Sequence, residues 1–137
     1  MNKFLLDTNV VSEFRRTRPH GAVIAWLEAQ LSAQLFISAV TIGEIQAGAA
    51  RTRRRDPAKA QEIEDWLARL PSLYQVLPMD ILCFREWGRL MDRKSAALVE
   101  DAMIAATARV HDLMVATRNE RDFAQLDVRI FNPFKVS

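Results

Sequence analysis

The chain alternates short runs of apolar residues with longer stretches in which apolar positions recur at helical spacing. Phe4-Leu5-Leu6 reads as a buried strand ending at Asp7, and a short helix follows through Phe14. Arg18-Pro19-His20-Gly21 breaks that helix. From Ala22 to Leu31, Val23, Trp26, Leu27 and Leu31 recur at helix spacing, and Leu35-Phe36-Ile37 forms a second short strand. A helix over Thr41 to Arg51 puts Ile42, Ile45 and Ala49 on one face. Asp56-Pro57 supplies an N-cap and a proline at the first helical position, so the next helix starts there and runs to about Leu70, where Pro71 follows. Leu73 to Leu77 is the third strand. Asp80 opens a long helix containing Phe84, Trp87, Leu90 and Met91, and Glu100 to His111 is another. Leu113-Met114-Val115-Ala116 and Val128-Arg129-Ile130-Phe131 complete a set of five strands.

Strands alternating with helices indicate an α/β layer fold built on a parallel sheet. These strands are apolar runs rather than in–out alternations, as expected when both faces of the sheet are covered. In open α/β sheets ligands bind beyond the carboxyl ends of the strands. Asp7 stands at the end of the first strand and Thr117-Arg118-Asn119 directly follow the fourth, so both reach that edge.

Length and composition narrow the picture without deciding it. A chain of 137 residues fits one domain, 1–137, and half of it is hydrophobic, which suits a globular protein rather than a disordered one. Cys83 is the sole cysteine, so no intramolecular disulfide forms; it lies in the apolar run Ile81-Leu82-Cys83-Phe84 and reads as a small core residue. The N-terminus lacks the features of a signal peptide and no stretch reaches membrane-spanning length, so a cytoplasmic protein is expected. A net charge of +2 does not by itself indicate a nucleic-acid partner. The distribution says more: Arg15, Arg16 and Arg18 form one cluster and Arg51, Arg53, Arg54 and Arg55 another. Such clusters can contact phosphates, or simply solvate a helix end.

Four acidic positions stand out by context. Asp7 leads from a buried strand into Thr8-Asn9, where it could cap the next helix. Glu44 interrupts an otherwise apolar helical turn among the small residues Gly43, Ala47 and Gly48. Asp101 opens Ala102-Met103-Ile104-Ala105-Ala106-Thr107-Ala108, a helix apolar nearly all round and therefore buried. Asp101 could serve that helix as a dipole partner or stand as a fixed carboxylate at the sheet edge. Asp122 follows the Thr117-Arg118-Asn119 turn; alone it is unremarkable. If the four converge, the bare site is electrostatically poor, since two like charges about 4 Å apart repel by about 4 kcal/mol at an effective dielectric of about 20. A divalent cation removes that repulsion, and all-oxygen ligation suits magnesium or manganese. Zinc fits less well: His20 and His111 have no paired ligand spacing. Nucleophilic hydrolysis and nucleotide-binding loops lack support, for there is no Gly-x-Ser-x-Gly elbow, Walker A loop or glycine-rich dinucleotide fingerprint.

Taken in order, Leu6-Asp7-Thr8-Asn9, Glu44, Asp101-Ala102-Met103-Ile104-Ala105-Ala106-Thr107-Ala108, Thr117-Arg118-Asn119-Glu120-Arg121-Asp122-Phe123 and Phe131-Asn132-Pro133-Phe134 resemble the PIN-domain nucleases. The closest subgroup is the VapC-type toxins of VapBC toxin–antitoxin pairs, including their FitB-like members. The resemblance spans essentially the whole chain. It implies a PIN-like three-layer α/β fold, with a central, mainly parallel five-stranded sheet flanked by helices. It further implies a magnesium- or manganese-dependent endoribonuclease acting as the toxin of a type II pair. On this resemblance Asp7, Glu44 and Asp101 are the core acidic ligands and Asp122 is the fourth acid. Glu100 stands beside Asp101, and the motif selects Asp101. Thr8, Thr117 and Asn119 match polar positions that orient the acids and face the substrate. A homodimer and a small VapB-like antitoxin that blocks the site are also implied, with DNA contacted only through the antitoxin.

The expected chemistry is metal-assisted phosphodiester hydrolysis, in which water attacks phosphorus and leaves a 5′-phosphate and a 3′-hydroxyl. Arg15, Arg16 and the Arg51–Arg55 cluster are candidates for steering the RNA. Two other readings fit parts of the chain. A magnesium-dependent phosphatase of the haloacid-dehalogenase type would also carry an aspartate after its first strand, but it places a second two residues on, where this chain has Asn9. A catalytically silent PIN-like module that binds only RNA or a protein partner would not need all four acids.

Overall fold

The computed structural model describes residues 2–135. Five strands, β1 (Phe4–Leu6), β2 (Leu35–Ser38), β3 (Gln75–Leu77), β4 (Met114–Ala116) and β5 (Ile130–Phe131), form one sheet in the order β3-β2-β1-β4-β5. All four pairings are parallel, with Phe4 opposite both Leu35 and Met114. The expected sheet is therefore present, and its strands are all parallel. β1 lies at its centre, and the chain leaves it first toward β2 and β3, then returns to its other side through β4 and β5. The carboxyl ends of β1 and β4 thus flank the point where the winding reverses, where open α/β sheets form their binding crevice.

Seven α-helices among the described residues cover the two faces: α1 (Thr8–Val11), α2 (Gly21–Ala29), α3 (Ala39–Arg53), α4 (Pro57–Leu73), α5 (Ile81–Leu90), α6 (Val99–Val110) and α7 (Glu120–Phe123). Alternate strand residues feed two cores. Phe4, Leu6, Leu35 and Ile37 pack with Val10, Val23, Leu27, Ile45, Trp66 and Leu70 from α1 to α4. Leu5 and Val115, from the opposite faces of β1 and β4, pack with Ile104, Ala105, Ala108 and Phe123 from α6 and α7. The run of buried alanines on α6 lets that helix lie close to the sheet.

Several boundaries differ from those the sequence predicts. α4 does not stop at Leu70 but continues through Pro71 to Leu73. Proline's fixed φ is compatible with helix, and near the end its missing N–H removes a single bond. The Tyr74 N–H still donates to the Leu70 carbonyl at 2.9 Å. β3 consequently begins at Gln75 rather than Leu73. α3 starts two residues before Thr41 because Ser38 caps it, its hydroxyl accepting from the Val40 N–H at 3.0 Å. α2 ends at Ala29 rather than Leu31, α6 begins at Val99 after a short 3-10 turn, and β5 starts at Ile130 rather than Val128. The stretch after the Thr117-Arg118-Asn119 turn, to which the sequence pattern assigns no element, forms α7, which carries Asp122.

Phe123 is wholly buried and anchors that one-turn helix to the second core. Phe123→Ala is expected to cost about 3–5 kcal/mol of folding stability, measured from urea unfolding. A loss below about 1 kcal/mol would show that the ring does not hold α7.

Candidate functional site

Asp7 is the residue at which β1 becomes α1. It is only 5% exposed, and its extended backbone makes it the N-cap of α1. Oδ1 accepts from the Thr8 N–H at 2.9 Å, while Oδ2 accepts from the Thr117 hydroxyl at 2.7 Å and from Asn9 Nδ2 at 3.0 Å. Capping and site-building are therefore the same contacts. Burial raises the Asp7 carboxyl above its ordinary value, and these three hydrogen bonds offset only part of the rise. Asn9 does more than brace Asp7: its Oδ1 accepts from the Arg118 N–H at 3.1 Å, joining α1 to the loop after β4.

Glu44 comes from α3, one turn beyond Thr41, which is buried and accepts from the Thr8 hydroxyl at 3.3 Å. Glu44 Oε1 is buried and has no hydrogen-bond partner among the described residues. Its carboxyl is pushed up to about 7, first by burial, then by the charges of Glu100 and Asp7, with a smaller contribution from Asp101. Asp101, in the first turn of α6, is pushed up to about 6 by burial and by Asp7, Asp122 and Glu100. Asn119 joins two of the acids: its Nδ2 donates to Asp101 Oδ2 at 3.2 Å and to Asp122 Oδ2 at 3.0 Å. The Asn119 N–H in turn donates to Thr117 Oγ1 at 2.9 Å.

The structure thus brings Asp7, Glu44, Asp101 and Asp122, with Thr8, Thr117 and Asn119, to one edge of the sheet from four separate segments. Sequence reasoning left out Asn9, Thr41 and Glu100. Asn9 lies inside the Asp7-Thr8-Asn9 run and Glu100 directly precedes Asp101, so both carry a local signal; the buried helical Thr41 carries none. Arg15 and Arg16 sit apart from the acids. Arg15 lies over the Trp66 ring at 5.2 Å, and Arg16 pairs with Glu13 at 3.2 Å. With Thr17, Arg18 and Lys59 they line an open basic depression of about 450 Å³. In the second basic cluster, Arg51 and Arg53 occupy the last turn of α3, and Arg53 pairs with Glu64 of α4. Cys83 is fully buried, as expected of a core residue.

The donor set fits a hard divalent ion. It is all oxygen, one buried carboxylate oxygen lacks a partner, and the acids raise one another's affinity for protons. Among the described residues no three acidic, histidine or cysteine side chains form a ready-made cage. Magnesium keeps several of its own waters and uses few protein ligands, so its binding does not require such a cage.

A family model for the PIN domain matches residues 4–129. The chain belongs to the PIN-domain family. Similar proteins include the VapC ribonuclease Y4jK of Sinorhizobium fredii, 37% identical over 96% of this chain and 97% of that protein. Toxin FitB of Neisseria gonorrhoeae is 34% identical over 95% of this chain and 97% of its own. Among solved structures, FitAB bound to the IR36 DNA fragment matches with a TM-score of 0.83 and 30% identity, covering 98% of this chain and 97% of the other. FitAcB from Neisseria gonorrhoeae matches with a TM-score of 0.81 and 32% identity, covering 97% and 99%. Among the described residues of this PIN-domain chain, no helix is long and apolar enough to cross a membrane.

The raised carboxyls give a pH dependence with a definite sign. In the metal-free protein both groups bind protons more tightly folded than unfolded, so stability falls as pH rises. The fall spans 4.5 to about 7 for Glu44 and 3.8 to about 6 for Asp101. Urea unfolding in EDTA is expected to show this decline in the wild type and a flatter profile in Glu44→Gln. Identical profiles would mean that repulsion at Glu44 does not tax the fold.

Proposed function

We propose that this PIN-domain protein is a magnesium- or manganese-dependent endoribonuclease, the toxin of a type II toxin–antitoxin pair. The observation that carries the reading is the convergence of four acids from β1, α3, α6 and α7 on the sheet's carboxyl edge, with the unpartnered Glu44 oxygen among them. The relatives named as a VapC ribonuclease and as toxin FitB support the activity and the biological setting. The DNA-bound FitAB structure supports a VapB- or FitA-like antitoxin as partner, through which DNA is reached. We extend the same reading to a homodimer and to a single nuclease domain over residues 1–137.

Asp7, Glu44, Asp101 and Asp122 would hold the ion. Bound there, a divalent ion supplies Lewis-acid polarisation of the phosphate and acidifies water at neutral pH. The rest is done by side chains. Thr117, Thr8 and Asn9 fix the orientation of Asp7, so that its oxygens need not reorganise during the reaction. Asn119 sets Asp101 and Asp122 relative to each other. A carboxylate oxygen left free by the ion takes the proton that the attacking water loses. Glu100, which raises both Glu44 and Asp101, adds negative charge beside them and strengthens the demand for a cation.

Cleavage of a labelled structured RNA by the purified protein tests this. Turnover is expected with magnesium or manganese and not with EDTA, leaving 5′-phosphate ends. Asp7→Asn and Asp101→Asn should each lower the rate at least about 100-fold. Normal cutting by both variants, or by the wild type in EDTA, would sink the mechanism.

A further inference from the structure

The Asn132-Pro133-Phe134 run holds none of the four acids, yet the fold sets it against Arg118, the residue between Thr117 and Asn119. The Arg118 guanidinium lies 3.9 Å over the centroid of the Phe134 ring. Its backbone is fixed to the site through Asn9. The side chain is exposed and, among the described residues, makes no hydrogen bond and no ion pair. That is unexpected for a long cation at the rim of an acidic cluster, which would ordinarily fold onto a carboxylate. Stacking explains it. The ring occupies one π-face of the guanidinium and leaves the in-plane fork of N–H donors open.

The stacking platform is itself held in place. The Phe134 N–H donates to Asn132 Oδ1 at 2.9 Å, and Asn132 Nδ2 donates to Glu120 Oε2 at 3.1 Å. Pro133 between them is buried, and the His20 and Phe134 rings meet in a T-shaped pair with centroids 5.3 Å apart. Beneath the rim lies Glu13, whose side chain is 3% exposed. It accepts from the His20 N–H at 2.7 Å and from Arg16 Nη1 at 3.2 Å. Burial alone would raise its carboxyl, but these bonds and the charges of Arg16 and Arg118 hold it below its ordinary value. Arg16 pairs with Glu13 directly, whereas the Arg118 guanidinium only lowers the Glu13 carboxyl at a distance, so its own donors stay open.

We infer that Arg118 is a substrate contact: its guanidinium, stacked on Phe134, takes a phosphate of the RNA chain next to the four acids. Phe134 acts as a positioning residue. A planar fork of donors matches phosphate oxygens in two-point geometry, and the ring keeps it from neutralising the acids instead. The assignment of RNA rests on the nuclease reading, so binding and cleavage must be measured separately.

The probe is a fluorescein-labelled single-stranded oligoribonucleotide, titrated by anisotropy over a range of potassium chloride. The Asp101→Asn protein with magnesium present keeps the RNA intact. Adding Arg118→Ala is expected to weaken binding about tenfold and to lower the slope of log affinity against log salt by about 0.7, the share of one phosphate contact on a single strand. Arg118→Lys should keep the slope but recover only part of the affinity. Phe134→Ala should weaken binding, Phe134→Tyr should restore it, and Phe134→Leu, which keeps apolar bulk but has no π-face, should not; recovery in Phe134→Leu would mean that the ring only packs. An unchanged slope and affinity in Arg118→Ala, or no measurable RNA binding before that change, overturns the inference. In that case the open fork would belong to a protein carboxylate. Cleavage by the protein with Asp101 intact reads the nuclease proposal alone: a lowered salt slope without any cutting keeps this contact and removes that activity.

Discussion

The 2.7 Å hydrogen bond from the Thr117 hydroxyl to Asp7 Oδ2 is the contact on which the rest of the site depends. It joins residues separated by 110 positions, at the ends of the two strands that flank the switch in winding. A buried carboxylate is costly unless hydrogen-bonded, and a bond to a charged group contributes about 1.5–3 kcal/mol. Asp7 receives three such bonds, so it remains at the sheet edge as a fixed acid. The same hydroxyl accepts from the Asn119 N–H, and Asn119 then sets Asp101 and Asp122. Asn9 closes the circuit through the Arg118 backbone. The two long-range bonds, Thr117 to Asp7 and the Arg118 N–H to Asn9, form only once β1 and β4 are paired, so the site is complete only in the finished fold.

Much of this was legible in the sequence because it depends on local pattern. Apolar runs gave the strands, helical spacing gave the long helices, and Asp56-Pro57 gave the start of α4 to the residue. The errors fall where tertiary contacts outweigh local signals. Pro71 ends a helix by propensity, but Leu70 is buried in the first core and the last turn closes around the proline. α7 is one turn long and shows no periodicity; Phe123 holds it. Asp7, Glu44 and Asp101 stand out in the sequence because each sits beside a strand end or within an apolar helical turn, whereas Asp122 stands out only within the ordered set of motifs. Thr41 does not, since its importance lies in what faces it across the fold. The basic residues were the least legible. Arg15 and Arg16 drew attention as a cluster, whereas Arg118 is set apart only by the ring beneath it.

The acids and the fold pull against each other. Glu44 and Asp101 are both raised, burial first and neighbouring charge second, so the bare site favours protons and works against the folded state above neutral pH. Natural folds tolerate such strain where a ligand relieves it, and a ligand that binds only the folded state returns stability by mass action. A divalent ion at these oxygens would thus act on stability as well as chemistry.

The two cores divide this arrangement between them. Asp7 and Glu44 sit on elements packed against one face of the sheet; Asp101 and Asp122 sit on elements packed against the other. Leu5 and Leu6, adjacent on β1, point into opposite cores just before Asp7. A shift of either helical layer therefore moves one pair of acids relative to the other. The small side chains of α6 limit that freedom, because Ala102, Ala105 and Ala108 bring its backbone close to the sheet and leave little space to slide. Interiors packed at crystal-like density transmit displacement rather than absorb it. The spacing of the four acids is then set by the packing of the whole sheet, with the loop that carries Thr117, Arg118 and Asn119 bridging the layers by hydrogen bonds.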